Sequence, residues 1–128
     1  MKNYYDLALL LLRIGFGGFM LTHGIPKIEM LFKDPIDFPD PIGLGPTLSL
    51  IGTIIGEVIA QILIIIGYQT RLATIPSAFT MIIIAFVIHA EDALGVKEHA
   101  LLFLIVYIAL FLTGPGKYSI DGRNRNRL

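Results

Sequence analysis

The sequence contains no cysteine, no tryptophan and few charged residues. Without cysteine, disulfide exchange, thiolate metal ligation and membrane redox chemistry based on a protein dithiol are all excluded. Charged residues make up only 16% of the 128 residues, hydrophobic residues make up 55%, and the mean hydropathy is +0.75. This composition is too apolar for an ordinary soluble domain, and the chain is too short for more than one domain. We therefore expect a single domain, residues 1–128, that folds in a membrane.

Four long apolar stretches lie between the clusters of charge. Each is close to the ~20 residues that a helix needs to span a bilayer. We predict transmembrane helices at about residues 5–23, 47–67, 72–90 and 99–113, with an outer loop at 24–46 and a tail at 114–128. Five prolines predict an irregular loop at 24–46. The other connections are short, which predicts an all-α, integral membrane, antiparallel four-helix bundle.

The first apolar stretch is expected to remain in the protein as a helix. Arg13 interrupts it, and no small-x-small cleavage site follows. With four spans, both termini share one side with Arg71 and the tail RNRNRL, whereas Lys27, Lys33 and Lys97 lie on the other side among carboxylates. The excess of Lys and Arg predicts that the termini are cytoplasmic. The tail either enforces this topology or contacts anionic lipids.

Two opposite charges interrupt the apolar stretches. Counted from the predicted helix ends, Arg13 and Glu57 both fall near mid-membrane on sequential antiparallel helices. A charge at the bilayer centre costs at least ~2.5 to 3.5 kcal/mol, and a hydrogen-bonded partner offsets much of this cost. The sequence therefore predicts an ion pair between Arg13 and Glu57. Gln61 shares the helix face of Glu57, so this face should point towards protein.

The three histidines fall at the predicted outer boundary, where His23 ends the first helix, His89 ends the third and His99 begins the fourth. Lys27 and Glu98 are close in sequence. Such a group could shuttle protons, hydrogen-bond a ligand carbonyl or, as an alternative, ligate a metal through His23, His89 and His99. None of the spacings is a recognised metal motif, and each histidine alone is also at home at a membrane interface.

An aromatic stripe on the fourth helix has a spacing of four residues. It consists of His99, Phe103, Tyr107 and Phe111. One interpretation is plain packing or lipid contact, and the other is one wall of a site for a flat apolar ligand.

These motifs together resemble the DoxX family of small four-helix bacterial and archaeal membrane proteins. The resemblance rests on LLRIGFGGFMLTHGIPKI, GEVIAQILIIIGYQTRLATIP, FVIHAED and GPGKYSID, which occur in order along nearly the whole chain. The matching positions are Arg13, His23, Gly24, Lys27, Glu57, Thr70, Arg71, Ala73, His89, Gly114, Pro115, Gly116, Ser119 and Asp121. The proline-rich outer loop is longer than is typical of the family.

The resemblance implies a function in membrane redox chemistry, because the family takes its name from a subunit associated with a terminal quinol oxidase and thiosulfate:quinone oxidoreductase. We therefore expect a quinone- or quinol-linked subunit of a membrane oxidoreductase in a bacterial or archaeal plasma membrane (a cell inner membrane). Glu57 would relay protons, Arg13 would hold Glu57 ionised, and His89 would exchange protons at the outer mouth. The candidate quinone pocket consists of His23, Lys27, Gln61, Glu98, His99, Phe103 and Tyr107.

Two other classes of function fit the same residues. One is a structural membrane anchor, in which the charge pair only fixes helix register, and the other is a small proton-coupled transporter that uses Glu57. Many family members have no assigned activity, and fold does not dictate function. The expected partners are membrane lipids, a redox subunit that carries the electrons and a second copy in a homo-oligomer, with no nucleic acid.

Overall fold

The computed structural model describes residues 4–124, which form helices and no strands. Lys2 and the tail arginines beyond Asn124, which contribute to the predicted topology, lie outside the described residues. The four long helices are α1 (Tyr5–Met30), α2 (Pro46–Ile66), α3 (Thr70–Ile88) and α4 (Leu94–Thr113), and all are long and apolar enough to cross a membrane. A short helix, α5 (Ile120–Arg123), follows. The predicted all-α membrane architecture is confirmed.

The helices pack in chain order. α1 packs on α2, α2 on α3 and α3 on α4, while fewer contacts join α4 back to α1. The start of α1, the turn 67–69 and residues 114–124 lie at one end of the bundle, which we call the termini end. The loop 31–45 and the connection 89–93 lie at the other, which we call the loop end.

The first helix is seven residues longer than the sequence predicts. It continues through His23 and Pro26 to Met30, so only residues 31–45 form the loop. Proline removes one backbone hydrogen bond, but neighbouring helices and local adjustments make this tolerable in a membrane helix. The extension also has packing to gain, because Ile28 and Met30 lie against the buried cluster of Leu50, Ile54 and Val58. The fourth helix likewise begins earlier than predicted, at Leu94.

Two of the helices contain a π-helical turn. The turn in α2 spans Ile55–Ile59 and contains Glu57, and the turn in α3 spans Ile84–Ile88 and ends beside His89. A π turn accommodates one extra residue and changes which side chains face a neighbour, and such turns are frequent at functional sites. The turn in α3 lies at the loop end, and the turn in α2 lies at the middle of that helix.

The contact between α1 and α2 depends on glycines. A Cβ at Gly24 would lie 2.6 Å from the Glu57 carbonyl oxygen, and one at Gly17 would lie 2.6 Å from a side-chain carbon of Ile65. Gly56 meets α3 in the same way, against Thr80 and the Pro76 carbonyl. A Cβ built at Gly15, Gly18 or Gly52, by contrast, would contact nothing within 4 Å.

Replacing Gly24 with alanine should destabilise the bundle, because the new methyl group would force α1 away from the α2 backbone. We expect a loss of about 1 to 3 kcal/mol in the free energy of unfolding, measured in detergent micelles. Gly15→Ala is the matched control, since it fills open space and should gain up to about 1 kcal/mol from helix propensity. Equal effects at the two positions would contradict the close approach at Gly24.

Candidate functional site

Glu57 is paired with Lys27. The Lys27 Nζ donates a hydrogen bond of 2.6 Å to Glu57 Oε1, where the Glu57 side chain is 1% exposed and that of Lys27 is 25% exposed. Because α1 extends beyond His23, Lys27 lies one turn past Gly24, which packs against the Glu57 carbonyl. The pair therefore joins α1 to α2 near the loop end. The carboxylate is buried, while the ammonium retains partial access to the surface.

The predicted ion pair between Arg13 and Glu57 does not form. Arg13 precedes Gly24, which marks the level of Glu57, by eleven residues, or about 16 Å along a helix. The depth of each charge was counted from the predicted ends of the helices, and the first helix ends seven residues later than predicted. Arg13 therefore lies at the termini end.

Arg13 holds the segment after α4 against the bundle through hydrogen bonds. Its guanidinium is 1% exposed and donates to the Tyr118 carbonyl from both terminal nitrogens, at 2.7 and 3.3 Å. Asp121 then accepts hydrogen bonds of 2.9 Å from the backbone amides of Gln69 and Thr70, where α3 begins. Charge-assisted bonds of this kind are the stronger hydrogen bonds in proteins. In this arrangement, Arg13 has a structural role.

The three histidines border a small cavity at the loop end, with a volume of about 200 Å³. Lys27 and Glu57 line the same cavity. His23 and His99 meet edge to face, with ring centroids 5.5 Å apart. His89 Nδ1 lies 2.7 Å from the Asp92 carboxylate, which can fix the tautomer and orientation of the ring. An ion pair and three imidazoles therefore share one concave site.

The aromatic stripe forms one wall of this site. Phe103 lies 6.3 Å from His23, 6.4 Å from His99 and 6.2 Å from Tyr107, measured between ring centroids. Phe103 also contacts Phe16 of α1 edge to face. Phe103 and Tyr107 are thus buried in the bundle, whereas His99 is exposed and lines the mouth of the cavity together with Phe103. The side chain of Phe111 is also exposed.

A buried polar column continues from Glu57 towards the middle of the bundle. The Gln61 amide donates to the Gly56 carbonyl and to the Ser77 hydroxyl, at 2.8 and 2.7 Å, and Ser77 also donates to the Gly56 carbonyl. Gly56 belongs to the π turn, so side chains of α2 and α3 hold that turn in place. The Tyr107 hydroxyl and the Gln61 Oε1 are buried without a hydrogen-bond partner among the described residues.

Three residues predicted for the quinone pocket, Glu98, Gln61 and Tyr107, do not line the small cavity. Glu98 is exposed and lines neither of the two cavities found at the loop end. Within residues 4–124, no three histidine, aspartate or glutamate side chains are placed to hold a metal ion, so His23, His89 and His99 do not form the alternative ligand set. Tyr107 and Gln61 lie below the small cavity and do not line it.

A second, apolar cavity adjoins the first and has a volume of about 570 Å³. It lies between α2, α3 and the loop 31–45. Lys27, Ile84 and His89 line both cavities. Several of its other walls, such as Leu48, Phe79 and Ile88, are exposed side chains, so it reaches the flank of the bundle.

Sequence reasoning missed the partner of His89 and the cap on α3. Asp92 follows His89 by three residues, and this spacing was a usable signal for a local hydrogen bond once the third helix was predicted to end there. The role of Asp121 could not be found locally, because the amides that it caps are about fifty positions away along the chain.

By its fold and site, the chain is a small multi-pass membrane protein whose four spanning helices enclose a polar site near one end. Within that class, the chain belongs to the DoxX family, whose model matches residues 8–90. The match includes Arg13, Lys27, Glu57 and His89 but not α4 or the GPGKYSID segment, so the resemblance of that last part stays a prediction. No curated protein and no solved structure is significantly similar to the chain.

Separate replacement of Lys27 and Glu57 should reveal the ion pair as a coupling energy. Lys27→Met leaves a buried carboxylate without a partner and should cost about 3 to 5 kcal/mol of unfolding free energy. Glu57→Gln should cost less, because Lys27 can turn towards the surface. The double variant should be more stable than Lys27→Met alone, as a double-mutant cycle of unfolding in detergent would measure.

The control cycle replaces Arg13 with methionine in combination with Glu57→Gln. Because these residues lie at different ends of the bundle, their effects on unfolding free energy should add within about 0.5 kcal/mol. Coupling in the Arg13 cycle, or none in the Lys27 cycle, would show that the pairing described above is wrong.

Proposed function

We propose that this DoxX-family membrane protein is a quinone- or quinol-linked subunit of a membrane oxidoreductase. The observation that supports this function best is that two cavities adjoin and share Lys27, Ile84 and His89 as walls. The smaller presents an acid, a base and imidazoles beside an aromatic wall, and the larger opens on the apolar flank of the bundle. A ligand that is flat and polar at its ring but otherwise soluble in lipid matches both.

The small cavity suits a ring that exchanges protons. Its volume of about 200 Å³ is below the ~300 to 1,000 Å³ typical of pockets for drug-sized ligands, so it fits only a small head group. Phe103 and His99 offer aromatic faces against which a ring can pack. Lys27 and the histidines offer hydrogen-bond donors for ring oxygens. These groups would orient the ring and place its two oxygens in different surroundings.

Proton transfer would pass through the same side chains. Oxidation of a quinol to a quinone releases two protons and two electrons. In this proposal, Glu57 accepts a proton from one ring oxygen, and His89, which is nearer the surface, passes protons to water. Both electrons leave to a redox centre on a partner subunit, because the sequence contains no recognised haem, flavin or iron-sulfur motif. Reduction of a quinone uses the same groups in reverse.

This proposal changes the role predicted for Arg13. A proton relay between Arg13 and Glu57 would need the two side chains to be close, and they lie at different ends of the bundle. The cation that neutralises Glu57 is Lys27. Arg13 instead supports the site indirectly, by fixing the termini end.

We further propose that the termini end faces the cytoplasm of a bacterial or archaeal cell. Arg71, Lys117 and Arg123 lie at this end, whereas Lys27, Lys33 and Lys97 share the loop end with several carboxylates. The bias of positive charge supports this orientation. The redox site would then open near the outer surface, where protons released from a quinol contribute to the proton gradient.

Native mass spectrometry of the protein, extracted gently from its host membrane, would test the function. We expect about one bound quinone per chain and a redox subunit that is extracted with it. The Lys27→Met/Glu57→Gln variant should keep the bundle folded and lower quinone occupancy at least tenfold, because it removes the donor and the proton acceptor together.

The matched control makes the same chemical changes on the exposed surface. Glu29→Gln/Lys33→Met alters two exposed residues that line neither cavity and should retain the quinone. If wild-type protein carries lipid but no quinone, or if all three proteins carry equal amounts, the redox function is wrong. A protein that holds soluble partners without any quinone would favour the structural anchor.

A further inference from the structure

The larger cavity has walls without charge over most of its length. α3 lines it from Pro76 to Ile88, which is about 18 Å along the helix axis. α2 lines the opposite side from Leu48 to Ile55, and apolar residues of the loop, including Phe38 and Ile42, close it above. Such a long apolar space between helices suits an extended hydrocarbon chain better than a compact polar molecule.

The ionisable side chains of this cavity lie where it meets the small one. Its other polar walls are the hydroxyls of Ser49, Thr53 and Thr80, which already donate hydrogen bonds to Asp40, the Ser49 carbonyl and the Pro76 carbonyl. Lys27 and His89 belong to both cavities, and the buried carboxylate of Glu57 lies just beyond Lys27. A molecule that filled both spaces would therefore place its polar part between Lys27 and His89 and its apolar part between α2 and α3. The positions of the polar and apolar walls therefore determine which end of the ligand lies in which cavity.

We infer that the cavity between α2 and α3 holds the long isoprenoid-type chain of the same quinone whose ring occupies the small cavity. The inference rests on the proposed function and names the substrate class: a membrane-resident quinone with a chain, and not a soluble ring alone. The ring enters sideways from the lipid, between α2 and α3 and beneath the loop 31–45. Because the chain comes from lipid and not from water, its contribution to the affinity comes from van der Waals packing against the walls of α2 and α3.

Gly52 provides a direct test, because it lines the chain cavity and a Cβ built there contacts nothing within 4 Å. Gly52→Leu should fill part of the cavity without disturbing the packing of the bundle. We expect it to weaken binding of a benzoquinone with a multi-unit prenyl chain at least tenfold in lipid nanodiscs. Binding of the same ring without a chain should change less than twofold.

For each probe, the affinity of the variant is compared with that of the wild-type protein. Differences in how the two probes partition into lipid therefore do not affect the result. Gly18→Leu is the matched control, since Gly18 also lies in open space on a helix but lines neither cavity. It should leave the affinity for both probes unchanged. Thermal unfolding of all three proteins verifies that each is folded.

The outcomes separate the chain site from the function as a whole. If the chainless ring binds but Gly52→Leu leaves the affinity for the chain-bearing probe unchanged, or weakens both probes equally, the chain site is wrong and the redox function stands. If neither probe binds the wild-type protein, the proposed function itself fails, and the chain site fails with it.

Discussion

The ion pair between Lys27 and Glu57 is the constraint on which the rest of the loop end depends. A carboxylate that is 1% exposed within a membrane span needs a cation, and the cation must come from a neighbouring helix. Lys27 can reach it only because α1 continues past Pro26 and because Gly24 lets the two backbones approach closely. The π turn around Glu57 belongs to the same arrangement, since Gln61 and Ser77 hold its Gly56 carbonyl. Loss of any one of these features would weaken the pairing of the buried Glu57 carboxylate and so destabilise the fold.

The two ends of the bundle use their polar groups differently. At the termini end, charged side chains bond to backbone: Arg13 to the Tyr118 carbonyl, and Asp121 to the amides at the start of α3. These bonds use both terminal nitrogens of Arg13 and both carboxylate oxygens of Asp121. At the loop end, ionisable side chains meet one another around a cavity, where their hydrogen-bonding groups remain available. The bundle therefore has one end that is joined by hydrogen bonds to backbone and one end that contains a polar cavity.

The sequence was sufficient to predict the four spanning helices and to single out the ionisable side chains that line the small cavity. Hydropathy determined the spans, and the positions of His23, His89 and His99 at predicted helix ends indicated their common level. The pairing of charges was wrong, because depth was counted from helix ends, and a proline was taken as a terminus although membrane helices tolerate it. The π turns could not be predicted either, since nothing in the local pattern distinguishes an extra residue from a regular helix. The single-domain organisation and the catalytic roles of the residues remain predictions.

The π turn in α2 also determines how the two halves of that helix are oriented. One extra residue shifts the phase of everything after it by about 100° relative to a continuous α-helix. Gly52 and Gln61 are nine residues apart, so on a continuous α-helix their side chains would lie about 180° apart, and the extra residue reduces this angle to about 80°. Gly52 lines the larger cavity beside α3, and Gln61 donates to Ser77 of α3. The irregularity thus keeps both halves of one membrane helix turned towards the same neighbour.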